Sequence, residues 1–372
     1  MALDFTFTDE HEELRATLRA FLEQRSDEQA VRAQMESERG HDPEVWKQMA
    51  EELGLAGLII DEEHGGAGFT YVELLIAMEE MGRALLCSPF LGTAVLAANA
   101  LKLAATETTQ KELLPGIAAG QRVVSVAHAE PNGRWDLEGI RLEAAKSGDG
   151  HALTGAKSWV LDGHVAEVLL VVARVDGGLG LFQVEGDAAG LSRTLIPSLD
   201  TTRKLAHLEF DGTPARLVSA GDQSQAITKA IALTVAALAA EQVGGAQKCL
   251  EMSVEYAGSR LQFGRPIGSY QSIKHKCADM LVSVEFGKSA AYNACFAAAE
   301  DEEDLLEAVA LAKSYCSEAY FRAAADTIQI HGGMGFTWEH PAHLYFKRAK
   351  ASEILFGDPT HHREVLADLL EI

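Results

Sequence analysis

Two stretches near the end of the chain, Arg260-Leu261-Gln262-Phe263-Gly264-Arg265-Pro266-Ile267 with Gln271 beyond it, and Gln329-Ile330-His331-Gly332-Gly333-Met334-Gly335-Phe336, carry the most specific pattern in the sequence. Each closes a long run with 3.6-residue periodicity. Arg260, at such an end, offers a planar guanidinium suited to bidentate contact with a phosphate. Gln271 adds an amide after the turn through Gly264 and Pro266. Gly332 and Gly333, adjacent and without Cβ atoms, let backbone approach a diphosphate closely. A plainer reading stays open at this point: Arg260 forms a surface ion pair and the two glycines merely end a helix.

Outward from these stretches the chain falls into three blocks, 1–120, 121–220 and 221–372. In the first, a helix is expected from Pro43 to Leu53, opened by Asp42 and closed by Gly54, with Val45, Trp46, Met49 and Leu53 inward. Glu62–Gly68 breaks the pattern, and a second helix runs from Tyr71 toward Leu85 with Leu74, Leu75, Met78 and Met81 on one face. In the second block the period becomes two: VVSVAHAE, HALTGAK, AEVLLVVARV, GLGLFQVE and LAHLEF are short runs bounded by Gly, Asp or Asn, as in a compact β domain. In the third, helices are expected at 224–258, 270–299 and 303–330, with a shorter pair near 340–355 and 360–371, packed as an antiparallel bundle. Charged residues are sparse over 229–247, so that segment is expected to be buried in a bundle or subunit core.

Composition narrows the function. Of 372 residues, 47% are hydrophobic and 23% charged, the balance of a globular chain large enough for several packed layers. The formal charge of −23, from 32 basic and 55 acidic side chains, repels polyanions and argues against nucleic acid as a partner. No apolar run approaches the roughly 20 residues of a membrane span, and MALDFTFTDEHEELRATL lacks the basic start of a signal peptide. A cytoplasmic location and no membrane partner are the expectation. The five cysteines, Cys87, Cys249, Cys277, Cys295 and Cys316, lack CxxC spacing and are expected to be reduced thiols, with no metal site.

The order of blocks and the two quoted stretches, flanked by AEQVGGAQ and KRAKASEILFGD, resemble the acyl-CoA dehydrogenase family over essentially the whole chain. The resemblance implies an α+β fold: an N-terminal all-α domain, a small middle β domain and a C-terminal four-helix bundle. It implies FAD as cofactor, an acyl-CoA substrate undergoing α,β-dehydrogenation, and electron-transfer flavoprotein as the acceptor. It assigns cofactor contacts to Arg260, Gln262, Phe263, Gln271, Gln329, Ile330, His331, Gly332 and Gly333, reaching across to a partner's flavin, and to Trp159, beside the isoalloxazine ring. Trp159 in the bland reading is simply core.

Departures from the family pattern matter as much. Where the family has a Thr-Glu-Pro-Gly-type turn and a following Ser, this chain reads Ala129-Glu130-Pro131-Asn132-Gly133-Arg134-Trp135, and Leu161 replaces a third hydroxyl. The two positions from which the family presents its catalytic carboxylate hold Phe356 and Thr234. Glu241, on an apolar helix, and Asp358 are the nearby acids that could substitute as base. The pattern resembles the base-lacking subunit of heteromeric, steroid-side-chain-type acyl-CoA dehydrogenases, whose α2β2 partner supplies the base. A self-sufficient homotetramer with a relocated base, and a non-catalytic scaffold, are the alternatives.

Overall fold

The structure is a computed structural model in which residues 7–148, 150–301 and 303–372 are described. In chain order the elements are α1 (Asp9–Arg25), α2 (Glu28–Glu36), α3 (Pro43–Glu51), α4 (Tyr71–Arg83), a π-helical segment (Leu91–Ala97) running into α5 (Ala98–Ala104), and α6 (Glu107–Ala118). Strands β1 (Val124–Ala127), β2 (Ala144–Ser147), β3 (Gly150–Leu161), β4 (Val168–Val175), β5 (Gly178–Glu185), β6 (Leu191–Leu195) and β7 (Leu205–Leu217) follow. Then come α7 (Ser224–Ser259), the short strands β8 (Leu261–Gln262) and β9 (Arg265–Pro266), α8 (Gln271–Glu300), α9 (Leu305–His331), α10 (Ala342–Ile354) and α11 (Pro359–Leu369). Helical N-terminal region, middle sheet and C-terminal helices are the architecture that the sequence predicts. By compactness the N-terminal helices divide: α1, most of α2 and α4 belong with α8–α11 and the larger part of α7, while α3, α5 and α6 belong with the sheet.

In the helical unit α7 is the central rod. Val235 through Ala240 are each at most 1% exposed, which is what the scarcity of charge over 229–247 requires. Its length and hydropathy would suffice for a membrane span, contrary to the sequence expectation, but 78% of the apolar window is buried inside the protein, as in a core helix. Against it α4 crosses backbone to backbone. A Cβ on Gly82 would lie 2.0 Å from the Glu241 carbonyl oxygen, and one on Gly244 1.8 Å from that of Glu79. The two glycines therefore set the separation of the helices reciprocally. At that crossing Glu79 and Glu80 are buried. Arg15 reaches Glu79 at 2.5 Å, Arg19 reaches Glu80 at 2.7 Å, and Tyr292 donates to Glu79 at 3.2 Å, so α1 and α8 are tied to α4 by the charges it buries.

In the sheet unit the strands lie in the order β1-β4-β5-β7-β3-β2, with β6 added on β7 and only the β1–β4 pair parallel. Leu153, Leu169, Val171, Phe182, Leu208 and Phe210 form its core. The strand β3 is irregular between Lys157 and Val160, where two residues face one on β7. Such a bulge re-aims side chains, and here it places Trp159 at φ 55°.

The α4–α7 contact gives a direct test. Gly244→Ala forces a methyl into the Glu79 carbonyl and should cost about 3 kcal/mol or more by overpacking. A urea midpoint equal to the parent's would contradict the contact.

Candidate functional site

The first arm starts where α7 ends. The Arg260 amide donates to the Tyr256 carbonyl at 2.8 Å, and the chain then turns through the β8–β9 hairpin. Its two-residue loop is Phe263-Gly264, at φ 51° and 77°, the positive values a type I′ turn needs and that Asn-Gly usually supplies. A phenylalanine there is strained, and this one is 86% exposed. Arg260, Gln262 and Gln271 are also exposed. Arg260 makes no ion pair or side-chain hydrogen bond with any described residue, which removes the surface-ion-pair reading. Arg265 lies over the Tyr270 ring at 4.0 Å, and the Tyr270 hydroxyl donates to the Gln262 carbonyl at 3.1 Å, bracing the hairpin.

The second arm starts where α9 ends. Gln329 is exposed, whereas Ile330 and His331 turn inward at 4% and 5% exposure. The His331 Nδ1–H donates to the Thr327 carbonyl at 2.8 Å and the ring stacks on Tyr256 at 4.3 Å. Gly332 has φ 61° and ψ −137°, open only to glycine. Gly333 is different: at φ −55° and ψ −34° any residue is allowed, and a Cβ there would meet nothing within 4 Å. Neither its backbone conformation nor packing among the described residues requires that second glycine.

The sheet unit holds Trp159, half-buried, with Trp135 packed on it at 5.9 Å and His128 against Trp135 at 5.8 Å. Below them Lys157, fully buried, donates to Glu130 at 2.9 Å and to the His128 carbonyl at 3.0 Å. Burial pushes Lys157 down to about 8 and His128 down to about 3, so His128 is neutral. Ala129 and Leu161 are buried apolar residues, and Arg134 is held by Asp136 and Glu138. None of these positions offers a hydroxyl.

The corner between α10 and α11 holds Phe356, buried at 4% exposure and at φ 61°. It is gripped through its backbone. Lys313, buried on α9, has three N–H donors for the carbonyls of Ser352 (2.9 Å), Glu353 (2.8 Å) and Gly357 (3.0 Å), with the Ser317 hydroxyl also within range at 3.1 Å. The His362 Nε2–H donates to the Phe356 carbonyl at 3.0 Å. Thr234 is fully buried and returns its hydroxyl to the Ala230 carbonyl of its own helix at 2.8 Å. Glu241 accepts from Arg348 at 2.8 Å with both groups buried, and Arg348 also reaches the Leu86 carbonyl at 3.3 Å. Asp358 is exposed and caps α11 by accepting from the His361 amide at 2.8 Å.

Two family models match the chain: "Acyl-CoA dehydrogenase, N-terminal domain" over residues 8–121 and "Acyl-CoA dehydrogenase, C-terminal domain" over residues 224–370. The acyl-CoA dehydrogenase IpdE2 of Mycobacterium tuberculosis is 37% identical over 363 residues, 97% of this chain and 96% of that one. The chain belongs to the acyl-CoA dehydrogenase family. Among solved structures, a Tcur3481-Tcur3483 steroid ACAD variant is similar at 31% identity with a TM-score of 0.89, covering 98% of each chain. The ChsE4-ChsE5 complex from Mycobacterium tuberculosis is similar at 29% identity with a TM-score of 0.91, covering 100% of each.

Members of this family are FAD-dependent oxidoreductases acting on the CH–CH bond of an acyl-CoA. The chain's arms fit a dinucleotide: an uncommitted guanidinium, exposed amides at Gln262, Gln271 and Gln329, and a Gly333 whose missing side chain leaves room for a ligand. Among the described residues no group of His, Cys, Asp or Glu could hold a metal, and the five cysteines are free thiols.

Lys313 and Arg348 escape a pattern-based reading, although a lysine among the alanines of AVALAKSY and an arginine in KRAK were visible as charges out of place. Burial pushes Lys313 from 10.5 down to about 7. The folded state therefore binds fewer protons than the unfolded one between those values, and this group makes stability rise with pH across that window. Lys313→Met should flatten that part of the slope. It should also lower stability by about 2–3 kcal/mol at pH 8, by orphaning buried carbonyls. Parallel stability–pH curves for parent and variant would contradict this.

Proposed function

We propose that this chain is a subunit of an FAD-dependent acyl-CoA dehydrogenase that lends the dinucleotide arms to a homologous partner and leaves the catalytic base to it. The observation that carries the proposal is the corner at Phe356. There the backbone is held for a functional residue, yet the side chain is a phenyl ring. Phe356 cannot take a proton, and Thr234, the other family position, is back-bonded to its own helix. The two acids that could substitute have other work: Glu241 neutralises buried Arg348, and Asp358 caps α11.

The proposed assembly is an α2β2 heterotetramer in the cytoplasm, passing electrons to electron-transfer flavoprotein. The steroid ACAD and the ChsE4-ChsE5 complex, both similar over the whole chain, favour a heteromer and a bulky, steroid-derived acyl-CoA in side-chain β-oxidation. The three-block division at 1–120, 121–220 and 221–372 is its domain plan. When bound, FAD supplies the hydride acceptor. This chain's part is to bind and orient: Arg260 and the exposed amides of Gln262, Gln271 and Gln329 toward the diphosphate side, the Gly332-Gly333 backbone beside them, Phe263 as an apolar cover. In the sheet unit, Trp135 packs tilted beside Trp159, and Ala129 and Leu161 stand where hydroxyls are expected to hold a flavin edge, which supports a single flavin bed supplied by the partner.

Loss of a positioned base costs roughly 10²–10⁴-fold in rate, so dye-reduction assays of the chain alone should show almost no turnover with any acyl-CoA. In the assembled complex Asp358→Asn keeps the helix cap and should leave turnover within a few-fold; a collapse with FAD retained would make Asp358 the base. Arg260→Ala removes a charge-assisted contact of about 1.5–3 kcal/mol and should weaken FAD binding by about tenfold or more. Undiminished flavin in that purified variant complex would overturn the arm assignment.

A further inference from the structure

The loop that carries Gly332 and Gly333 begins at His331 and ends at His340, and these two rings lie on one another at 4.2 Å between centroids. Tyr256 of α7 stacks on His331 at 4.3 Å. The loop has backbone turns of its own, such as Gly335 N–H to the Gly332 carbonyl at 3.1 Å, and a three-ring column ties its two ends together.

Hydrogen bonding sets the state of Nδ1 on each imidazole. His331 donates through Nδ1–H to the Thr327 carbonyl. His340 does the reverse: its Nδ1 accepts from the amide of Ala342, the first residue of α10, at 3.1 Å. That nitrogen must carry a lone pair, so the column as built needs a neutral His340. Protonation there would break the bond to Ala342, put a cation at the N-terminus of α10, where the helix dipole opposes it, and set it beside a second imidazole.

From these contacts we propose that His340 is an acid-labile clasp: its protonation opens the 332–340 loop and weakens the second dinucleotide arm. The groups facing the clasp do not rescue the charge. On α9 there is His331; on α7 the neutral Tyr256; on α10 His343, which lies edge-on to Trp338 at 4.8 Å with Lys347 near it. The carboxylate within range, Glu28 of α2, is committed to Arg32 at 2.7 Å. Burial and then His331 hold His340 below the usual histidine range, and burial does the same for His331 and His343. A depressed histidine contributes stability that is present above its unfolded value and is lost as pH falls through the folded one. The clasp therefore holds at neutral pH and releases on the acid side of about 6.5.

The consequence for cofactor binding rests on the functional reading above, but the clasp itself can be read without it. Hydrogen–deuterium exchange of the full chain, corrected for intrinsic rates, should show protection of residues 332–341 falling by about tenfold from about pH 7.5 to about pH 5.5. His340→Asn keeps an acceptor for Ala342 and cannot titrate, so its protection should stay flat. Equal protection of the parent at both pH values, or the same fall in the variant, would overturn the clasp. Should the variant misfold, imidazole NMR of the parent decides: the loop must open with the titration of His340, and opening at another pH refutes the clasp. A third readout is FAD retention by the assembled complex over the same range. Loop opening without FAD loss would leave the clasp standing and remove the loop from the cofactor arm.

Discussion

One buried amino group, that of Lys313, fixes the corner between α10 and α11 on which the proposed function rests. It reaches from the middle of α9 to the last carbonyls of α10 and to Gly357 beyond them. A helix end leaves carbonyls without intrahelical partners, and burying them requires a donor from elsewhere. Lys313 is that donor, and the chain can then turn sharply enough to put Phe356 at a positive φ. A left-handed backbone at a bulky residue is normally avoided. Its persistence under a phenyl ring means that the corner's shape is specified by what grips it from behind rather than by the residue at its tip. In the proposed reading, the corner keeps its backbone shape while Phe356 stands where a carboxylate is expected.

The arms show the opposite arrangement. Apart from the buried Ile330 and His331, the arm side chains assigned to the cofactor are exposed, and the positive φ values fall at Phe263, Gly264 and Gly332. Exposed aromatic residues, an uncommitted arginine and a glycine with no intrachain reason suit a surface completed by something else. In the sheet unit Ala129 and Leu161 are buried, and Trp135 lies half-buried beside Trp159. In the proposed assembly, retention on the lending side and loss on the receiving side are one division of labour.

Much of this was legible in the sequence, and the exceptions have causes. The strand β5 matches GLGLFQVE and the long helices match their periodic runs within a residue or two, because burial on one face writes a regular pattern. The Pro43 helix opens at Asp42 as expected, since Asp42 accepts from the Glu44 amide at 2.9 Å. β2 and β6 were not foreseen: AAKS and LSRTL are largely exposed, so no alternation marks them. Nor was the π-helical segment Leu91–Ala97, which is buried on every side and so shows no periodicity. At the site, Arg260 and the paired glycines stood out because few structural roles need them. The pairing of Glu241 with Arg348, 107 residues apart, and the reach of Lys313 across 44 residues to Gly357 are products of tertiary packing, and no local pattern encodes them. His331 shows the converse, a motif residue whose side chain belongs to the interior column rather than to the exposed arm.

The central claim is that the chain gives arms without a flavin bed or a base, and flavin counting tests it most directly. Co-expressed with a homologous subunit that carries a glutamate at the corner, the purified assembly should contain one FAD for every two chains, and this chain purified alone should be colourless. One tightly bound FAD per copy of this chain, purified without a partner, would contradict the account.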